Sequence, residues 1–598
     1  MRNKIGYKKQ YFVVLISFLM AILLGSCMAY EPSLNDAVNE DNEALINDRE
    51  DENQIVKTIE HENADASVNT EEDNEEDDNI DELLVDFDME NAFSYCHDIR
   101  CAISEDKDYV TFEFDFKDSI PRSDDNNIYL FEFSTYENEE ITEEKDIISS
   151  EPKDRKVAFS MPYNERLLFS RFVPAILVDG MYIKLSDGKY INNPEILAIN
   201  TDEYPAIDSK KGILLDANTV GKHELYDLKV RRAVYNIPLS LIIGETENEA
   251  CPTIDYEYNG EIYHFNGFYC EGFDSLFSYL TEKGIHSTAI ILNDWNKDYP
   301  EIIHPKARRQ TGRSLYYAFN TEEEEGVRLM EATASFLASR YSSGEHGVIN
   351  DWVIANEINQ HKIWNYMDTS DLDYYTDSFE KSFRTFYNAI KSNYREAKVY
   401  FSLDHDWNDN YGNNKKFFNG RDVLYKFNEA ATRGGNYNWS LSIHPYPDPL
   451  TRVKFWNGKF DKTEEAKTIT PMNFSSLTDV IKKDEFLDCD GNIRDIAVSE
   501  LGFSSKSGEQ LQAAAYAYCY YIIDNNEYIS SFLMNRQTDD GEALKSGLRL
   551  GIYNYDYSPK YIKDVFRNID SKDGDEFIPQ MLEIIGADSL KEALSWAE

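Results

Sequence analysis

Positive charge, cysteine and glycine are all scarce in this chain. Sixty lysines and arginines stand against 110 aspartates and glutamates in 598 residues, a formal net charge of -50. So acidic a chain repels nucleic acid and other polyanions, which leaves a neutral partner as the easier one. There are seven cysteines, no CxxC pair and no His/Cys cluster, so a zinc site is not expected. The 28 glycines include no phosphate-cradling turn behind a strand, which argues against a doubly wound nucleotide-binding fold; no cofactor is expected. Aromatic residues are plentiful, with 41 Tyr and 33 Phe, enough for packed cores and for stacking surfaces.

The N-terminus reads as an address. Arg2, Lys4, Lys8 and Lys9 precede the apolar run "YFVVLISFLMAILL", which is short for a membrane anchor and leads directly into "GSC". Leu24, Gly25, Ser26 and Cys27 resemble the lipobox of bacterial lipoproteins, which implies a signal peptide over 1–27 and lipid on Cys27. The expectation is an exported protein held at the cell surface, touching the membrane only through that lipid. Residues 28–90 are dominated by acids, as in "EEDNEEDDNIDE", and cannot bury enough apolar area to offset chain entropy; they read as a solvated tether. Cys96, Cys101, Cys251, Cys270, Cys489 and Cys519 remain, and their pairing is not readable. Cys519, inside "AAAYAYCYYII", is expected to be a buried free thiol.

Between residues 91 and 205, short segments such as "YVTFEFDF" and "IYLFEF" alternate with period two, which predicts a small antiparallel β-sandwich. It is read first as a packing partner for the next domain and second as a glycan binder. Over 206–570 apolar strands alternate with amphipathic helices. The strand candidates are "GILLD", "RRAVYNI", "STAIILN", "DWVIAN", "KVYFSLD", "NWSLSI", "RDIAVSE" and "ISSFLMN". Eight strand-helix repeats predict an α/β fold, a (β/α)8 barrel with its site at the C-terminal strand ends. In "YYTDSFEKSFRTFYNAI", Tyr375, Phe379, Phe383, Phe386 and Ile390 share one helix face, and Thr321 with Glu324 has the pattern of a capping box. "SPKYIKDVFRNID" closes the ring, and 571–598 is a short helical tail.

Glu357 follows the fourth strand in "DWVIANEIN", and Glu500 follows the seventh in "IAVSELGFSS". Two carboxylates facing each other across a barrel mouth are what glycosidic cleavage needs: one protonates the leaving oxygen, the other attacks the anomeric carbon or activates water. Here the chain resembles the clan-A glycoside hydrolases, retaining enzymes with Asn-Glu after strand four and Glu after strand seven. The resemblance implies that Glu357 is the acid/base, Glu500 the nucleophile and Asn356 a partner of the sugar hydroxyl beside the reacting carbon. His444 and Tyr446 in "SIHPYPDPL" match the His-x-Tyr of the sixth strand end, where the Tyr hydroxyl touches the nucleophile. The pattern differs at two places: Asn535, Arg536 and Asp539 stand where many members have a Trp, and the second strand ends in Asn236 rather than an Arg. "KKGILL", "YNIPL", "FLASRYS", "DWVIANEINQHKIWN", "SLDHDWN", "SELGFSS" and "PKYIKDVFRNID" look like a bacterial domain family of unknown function grouped with these hydrolases.

Other strand ends supply candidate substrate contacts: Asn236; Asn293 and Trp295; Trp364; Asp404, His405 and Trp407; and Arg536 and Asp539. Each Trp is either a stacking platform or packing, and His405 either a sugar contact or a buried hydrogen-bonded ring. The function expected is a surface-anchored retaining glycosidase acting on a neutral poly- or oligosaccharide. The alternative is a noncatalytic glycan-binding or adhesion lipoprotein on the same scaffold.

Overall fold

The computed structural model describes residues 80–216 and 224–598. The expected signal peptide, the expected lipobox at Cys27 and most of the acidic stretch lie outside the described residues. The centre is a closed barrel of eight parallel strands, β1 (Lys211–Leu214), β2 (Arg232–Pro238), β3 (His286–Leu292), β4 (Asp351–Ile354), β5 (Lys398–Asp404), β6 (Ser440–His444), β7 (Ile496–Leu501) and β8 (Ile529–Met534). All eight apolar runs named from the sequence are these strands. They are continuous rather than alternating because interior side chains cover one face and helices the other. β8 closes the ring against β1, with Gly212 opposite Leu533. A Cβ at Gly212 would run into Leu533 and Arg232, so this seam requires glycine.

Helices follow the strands: α1 (Glu224–Asp227), α2 (Gly267–Glu282), α3 (Glu324–Arg340), α4 (Leu372–Lys391), α5 (Gly420–Arg433), α6 (Ser475–Ile481), α7 (Glu509–Asp524) and α8 (Ile562–Asn568). On α4 the five aromatic and aliphatic residues of the expected stripe are all buried. The capping box is not formed. Thr321 Oγ1 instead bonds Ser378 Oγ at 2.8 Å, and Asn320 Oδ1 accepts from the Glu322 and Glu323 amides just ahead of α3. An Asx turn one residue earlier has taken the cap's place. An antiparallel hairpin, Ile254–Tyr258 with Glu261–Phe265, interrupts the stretch between β2 and α2. After α8, helices Ile578–Ile585 and Leu590–Ser595 close over α7, where Tyr518 Oη donates to Ala593 O at 2.6 Å. Cys519 on α7 is a buried free thiol. Among the described residues, no helix is long and apolar enough to cross a membrane.

Ahead of the barrel lie a three-stranded and a four-stranded antiparallel sheet, with Phe112, Phe114, Phe116, Leu130 and Phe172 buried in the shared core. The last residues of the stretch expected to be a tether belong to this unit. Leu84 and Val85 pair with Ile120 and Pro121, and Phe87 stacks on Tyr95 at 5.9 Å, because these apolar residues have a core to join. The sheets dock on the outer helices: Asn388 Nδ2 on α4 donates to Leu168 O at 2.8 Å, and the Tyr190 amide to Gly434 O at 3.0 Å.

Phe401 on β5 is fully buried against Phe427 at 4.4 Å, Trp439 at 5.6 Å and Phe383 at 5.9 Å. Phe401→Ala is expected to cost about 3–5 kcal/mol through lost transfer energy and the cavity left behind. A denaturant titration checks this: the midpoint should fall at unchanged slope.

Candidate active site

The site forms where β4, β6, β7 and β8 end. β4 stops at Ile354, and two residues follow before Glu357; Ala355 and Glu357 have φ of 64° and 40°. Left-handed backbone at two non-glycine residues costs energy and turns the chain sharply inward. Bonds to neighbouring strands hold the turn: Ala355 N donates to Ile291 O at 3.0 Å, and Glu357 N donates to Ser402 Oγ on β5 at 2.8 Å. Glu500 lies inside β7 rather than after it. The pairing register with β8 shifts between Val498 and Leu501, an irregularity of the kind that re-aims a side chain.

Both carboxyl groups are buried, at 8% exposure each, in different surroundings. A proton bridges Glu357 Oε1 and His444 Nδ1 at 2.8 Å, and His444 Nε2 is 2.9 Å from Ser499 Oγ, which in turn bonds Ser442 Oγ. Burial pushes the Glu357 carboxyl up to about 7, with the charges of Asp404 and Glu500 pushing the same way and His444 pulling against them. Burial holds His444 down, but its bond to Glu357 and the charges of Glu500, Glu357 and Asp404 raise it overall. Glu500 has two neutral donors on one oxygen: Tyr446 Oη and Asn535 Nδ2 each lie 2.9 Å from Oε1. Asn535 Nδ2 is also 3.0 Å from Tyr446 Oη. Burial and the Glu500 charge keep Tyr446 protonated, well above its ordinary value.

Asn356 sits beside Glu357 at 5% exposure. Several of the remaining candidates serve the frame instead. His444 is fully buried with both ring nitrogens engaged, so it orients Glu357 and does not reach a ligand. Trp407 is fully buried, its Nε1 donating to Glu464 O at 2.9 Å, and Trp364 at 2% exposure stacks on Tyr316. Neither offers a face for stacking. Asn293 ties the loop after β3, donating to Ala318 O at 3.3 Å. Asp539 is locked by Lys560 Nζ at 2.6 Å and Gly551 N at 2.8 Å. Asp404 accepts from Asn359 Nδ2 at 2.6 Å, Gln360 Nε2 at 2.5 Å and Asp406 N at 2.8 Å, which makes it a brace. Its charge adds to burial in raising Asp406 to about 7.

Four candidates keep a partly open side chain. Trp295 is half-buried, edge-on to Tyr317 at 5.4 Å. His405 is 20% exposed beside Asp406; burial lowers it, but Asp406, Asp404, Glu357 and Asp448 outweigh that and raise it. Arg536 pairs with Asp540 at 3.6 Å, and Asn236 is half-buried within β2, which runs on to Pro238. In the sequence Asn535 stands out only as a departure from the clan pattern; its position directly after β8 is the signal that places it at the site. Ser402, Ser499 and Gln360 carried none.

The model of a family of unknown function, DUF5722, matches residues 203–593, and the chain belongs to that family. No curated protein matches it. Among solved structures, a family 39 glycoside hydrolase from the gut symbiont Bacteroides cellulosilyticus WH2 is similar at 12% identity and TM-score 0.40, over 82% of each chain. A mutant of a hyperthermophilic beta-glucosidase is similar at 12% identity and TM-score 0.38, over 58% of this chain and 85% of that one. A psychrophilic family 10 endo-beta-1,4-xylanase is similar at 13% identity and TM-score 0.35, over 60% and 97%.

The raised Glu357 carboxyl has a consequence for stability. Its folded value of about 7 lies above the ordinary 4.5, so its contribution is present in full below pH 4.5 and is lost as pH rises through about 7. Glu357→Gln, which keeps an acceptor for His444, should therefore leave the melting temperature unchanged at pH 4.5. At pH 8 it should raise stability by about 1–3 kcal/mol. Thermal unfolding at the two pH values checks this.

Proposed function

We propose that this DUF5722 member is a retaining glycoside hydrolase in which Glu357 is the acid/base and Glu500 the nucleophile. The observation that carries the reading is the unlike treatment of two buried carboxyls at one barrel mouth. Burial raises the Glu357 carboxyl to about 7, so it keeps its proton up to about neutral pH, as a general acid requires. Glu500 receives Tyr446 and Asn535 on one oxygen, an arrangement that stabilises and aims a carboxylate while the other oxygen attacks.

In the first step Glu500 attacks the anomeric carbon as Glu357 gives its proton to the departing oxygen. In the second, Glu357, now ionised, takes a proton from water, which displaces Glu500 and releases sugar of retained configuration. The His444–Ser499 chain holds the Glu357 carboxyl in place through both proton transfers. Asn356 is assigned to the hydroxyl beside the reacting carbon, and Trp295, His405, Arg536 and Asn236 to the remaining sugar contacts. The acidity of the chain favours a neutral poly- or oligosaccharide. A double displacement calls for the two carboxyl groups to lie about 5–5.5 Å apart. We further propose export and anchoring through lipid on Cys27, with the acidic stretch as a spacer.

Removing Glu357 should cost most on glycosides with poor leaving groups, about 100-fold or more, and little on activated ones. Azide should partly restore Glu357→Ala, because it attacks the glycosyl-enzyme without a general base. Glu500→Ala should lose turnover of both substrate types. Assays of both variants on activated and natural glycosides decide; equal losses everywhere would show the roles to be wrong. In wild type, kcat/KM on poor leaving groups should fall as pH rises past about 7, where Glu357 loses its proton. Separately, Cys27→Ala should release the protein from the membrane fraction or leave the precursor unprocessed, as fractionation and immunoblotting would show.

A further inference from the structure

Ser442 and His444 stand two residues apart on β6, so their side chains share one face of the strand, and Ser499 of β7 meets both. Water is shut out here: Ser442 and His444 are fully buried and Ser499 is 3% exposed. Ser442 Oγ bonds Ser499 Oγ, Ser499 Oγ lies 2.9 Å from His444 Nε2, and His444 Nδ1 lies 2.8 Å from Glu357 Oε1. Neither serine hydroxyl has another partner among the described residues.

That row of bonds has a direction. Each hydroxyl has one proton to give, and a buried one left without an acceptor is costly. Ser442 can donate only to Ser499. Ser499, accepting from Ser442, sends its own proton to its remaining partner, His444 Nε2. A ring nitrogen that accepts carries no proton, so the imidazole is neutral, with its proton on Nδ1 and donated to Glu357 Oε1. Reversing the row would leave the Ser442 proton without an acceptor.

The surrounding charges pull the other way. Burial disfavours a charged His444, but its bond to Glu357 and the charges of Glu500, Glu357 and Asp404 favour one. An imidazolium would need a proton on Nε2, which Ser499 could accept only by turning its own proton back onto Ser442. Glu357 also feels Asp404, Glu500, His405 and Tyr446, none of which bonds either serine.

We propose that Ser499, with Ser442 behind it, is a positioning residue that keeps His444 neutral with its proton on Nδ1, so that the ring donates to Glu357 Oε1 and never takes the catalytic proton. The transferable proton then stands on Oε2, which bonds no described residue. One ring state serves both steps, since Nδ1–H can donate to the carboxylic acid and to the carboxylate that follows it. In the other tautomer a bare Nδ1 would draw the carboxyl proton onto Oε1, and an imidazolium would already have removed it. This use of the ring rests on the acid/base role proposed for Glu357; the state of the ring does not.

The test is long-range proton–nitrogen NMR of full-length protein with isotope-labelled histidine rings, between about pH 5 and 8, where a free imidazole titrates. His444 is identified as the ring whose signals vanish in His444→Gln and move in Ser499→Ala. In wild type, Nδ1 should be protonated and Nε2 bare throughout. In Ser499→Ala no hydroxyl opposes the surrounding charges, and Nε2 should gain a proton at the acid end. The proposal is overturned if wild-type His444 carries a proton on Nε2 in that range, or if the ring state is the same in Ser499→Ala. A kinetic arm reads the consequence. In Ser499→Ala, kcat/KM on poor leaving groups should fall about tenfold, because fewer molecules hold the proton on Glu357. Its alkaline limb should move up, because the form in which His444 is charged and Glu357 ionised stabilises the two-proton state. A fall with the limb unmoved or moved down would overturn the proposal, since mere loosening of the site does that. If wild type hydrolyses no glycoside, the role of Glu357 fails while the spectrum still decides the ring; a contrary spectrum with normal turnover sinks only this proposal.

Discussion

A buried carboxyl that shares a proton with a buried imidazole is the constraint around which this site is organised. Glu357 and His444 meet 2.8 Å apart where almost no water reaches, so neither can change protonation without the other feeling it. To hold that pair, the chain accepts left-handed backbone at Ala355 and Glu357 and leans on Ser402 of β5, Ser499 of β7 and Ser442 of β6, the strand that carries His444. Glu500, on the opposite side of the mouth, is braced by neutral donors instead. The difference between an imidazole and a phenol–amide pair is what separates the chemistry open to the two carboxyls. A barrel suits such an arrangement because each strand end can be tuned separately while the closed sheet keeps them in register.

The barrel was legible in the sequence because parallel strands buried on both faces leave continuous apolar runs, and each of the eight runs became a strand. The two glutamates were legible for a related reason: a carboxylate at the end of a buried strand has few structural uses. Side-chain environment was not legible. Nothing in "SLDHDWN" says that Asp404 will be held by Asn359 and Gln360, or that Trp407 will be fully buried with its Nε1 on Glu464 O. Those outcomes depend on loops meeting from different strands. Asn535 is the instructive case, since a residue noted for breaking a pattern takes a place at Glu500 by donating to it.

The N-terminal sheets show a similar limit. Alternation in "YVTFEFDF" predicts strands with one buried face, which the structure has. It carries no information about where those strands dock. Their contacts with α4 and α5 mix apolar packing with hydrogen bonds such as Asn388 to Leu168, and the seam they form is polar enough to leave donors without partners. Leu84 and Phe87, which composition alone assigns to the acidic stretch, also join this unit.

The central claim is that Glu500 becomes covalently attached to sugar, and it can be read directly. The protein should be incubated with a panel of activated 2-deoxy-2-fluoroglycosides, in which the fluorine slows the second displacement more than the first, then digested and its peptides weighed. The account predicts a fluoroglycosyl adduct on the peptide containing Glu500, absent from Glu500→Ala. An adduct on Glu357 or elsewhere, or no adduct in a protein that hydrolyses the parent glycosides with inverted configuration, would contradict it.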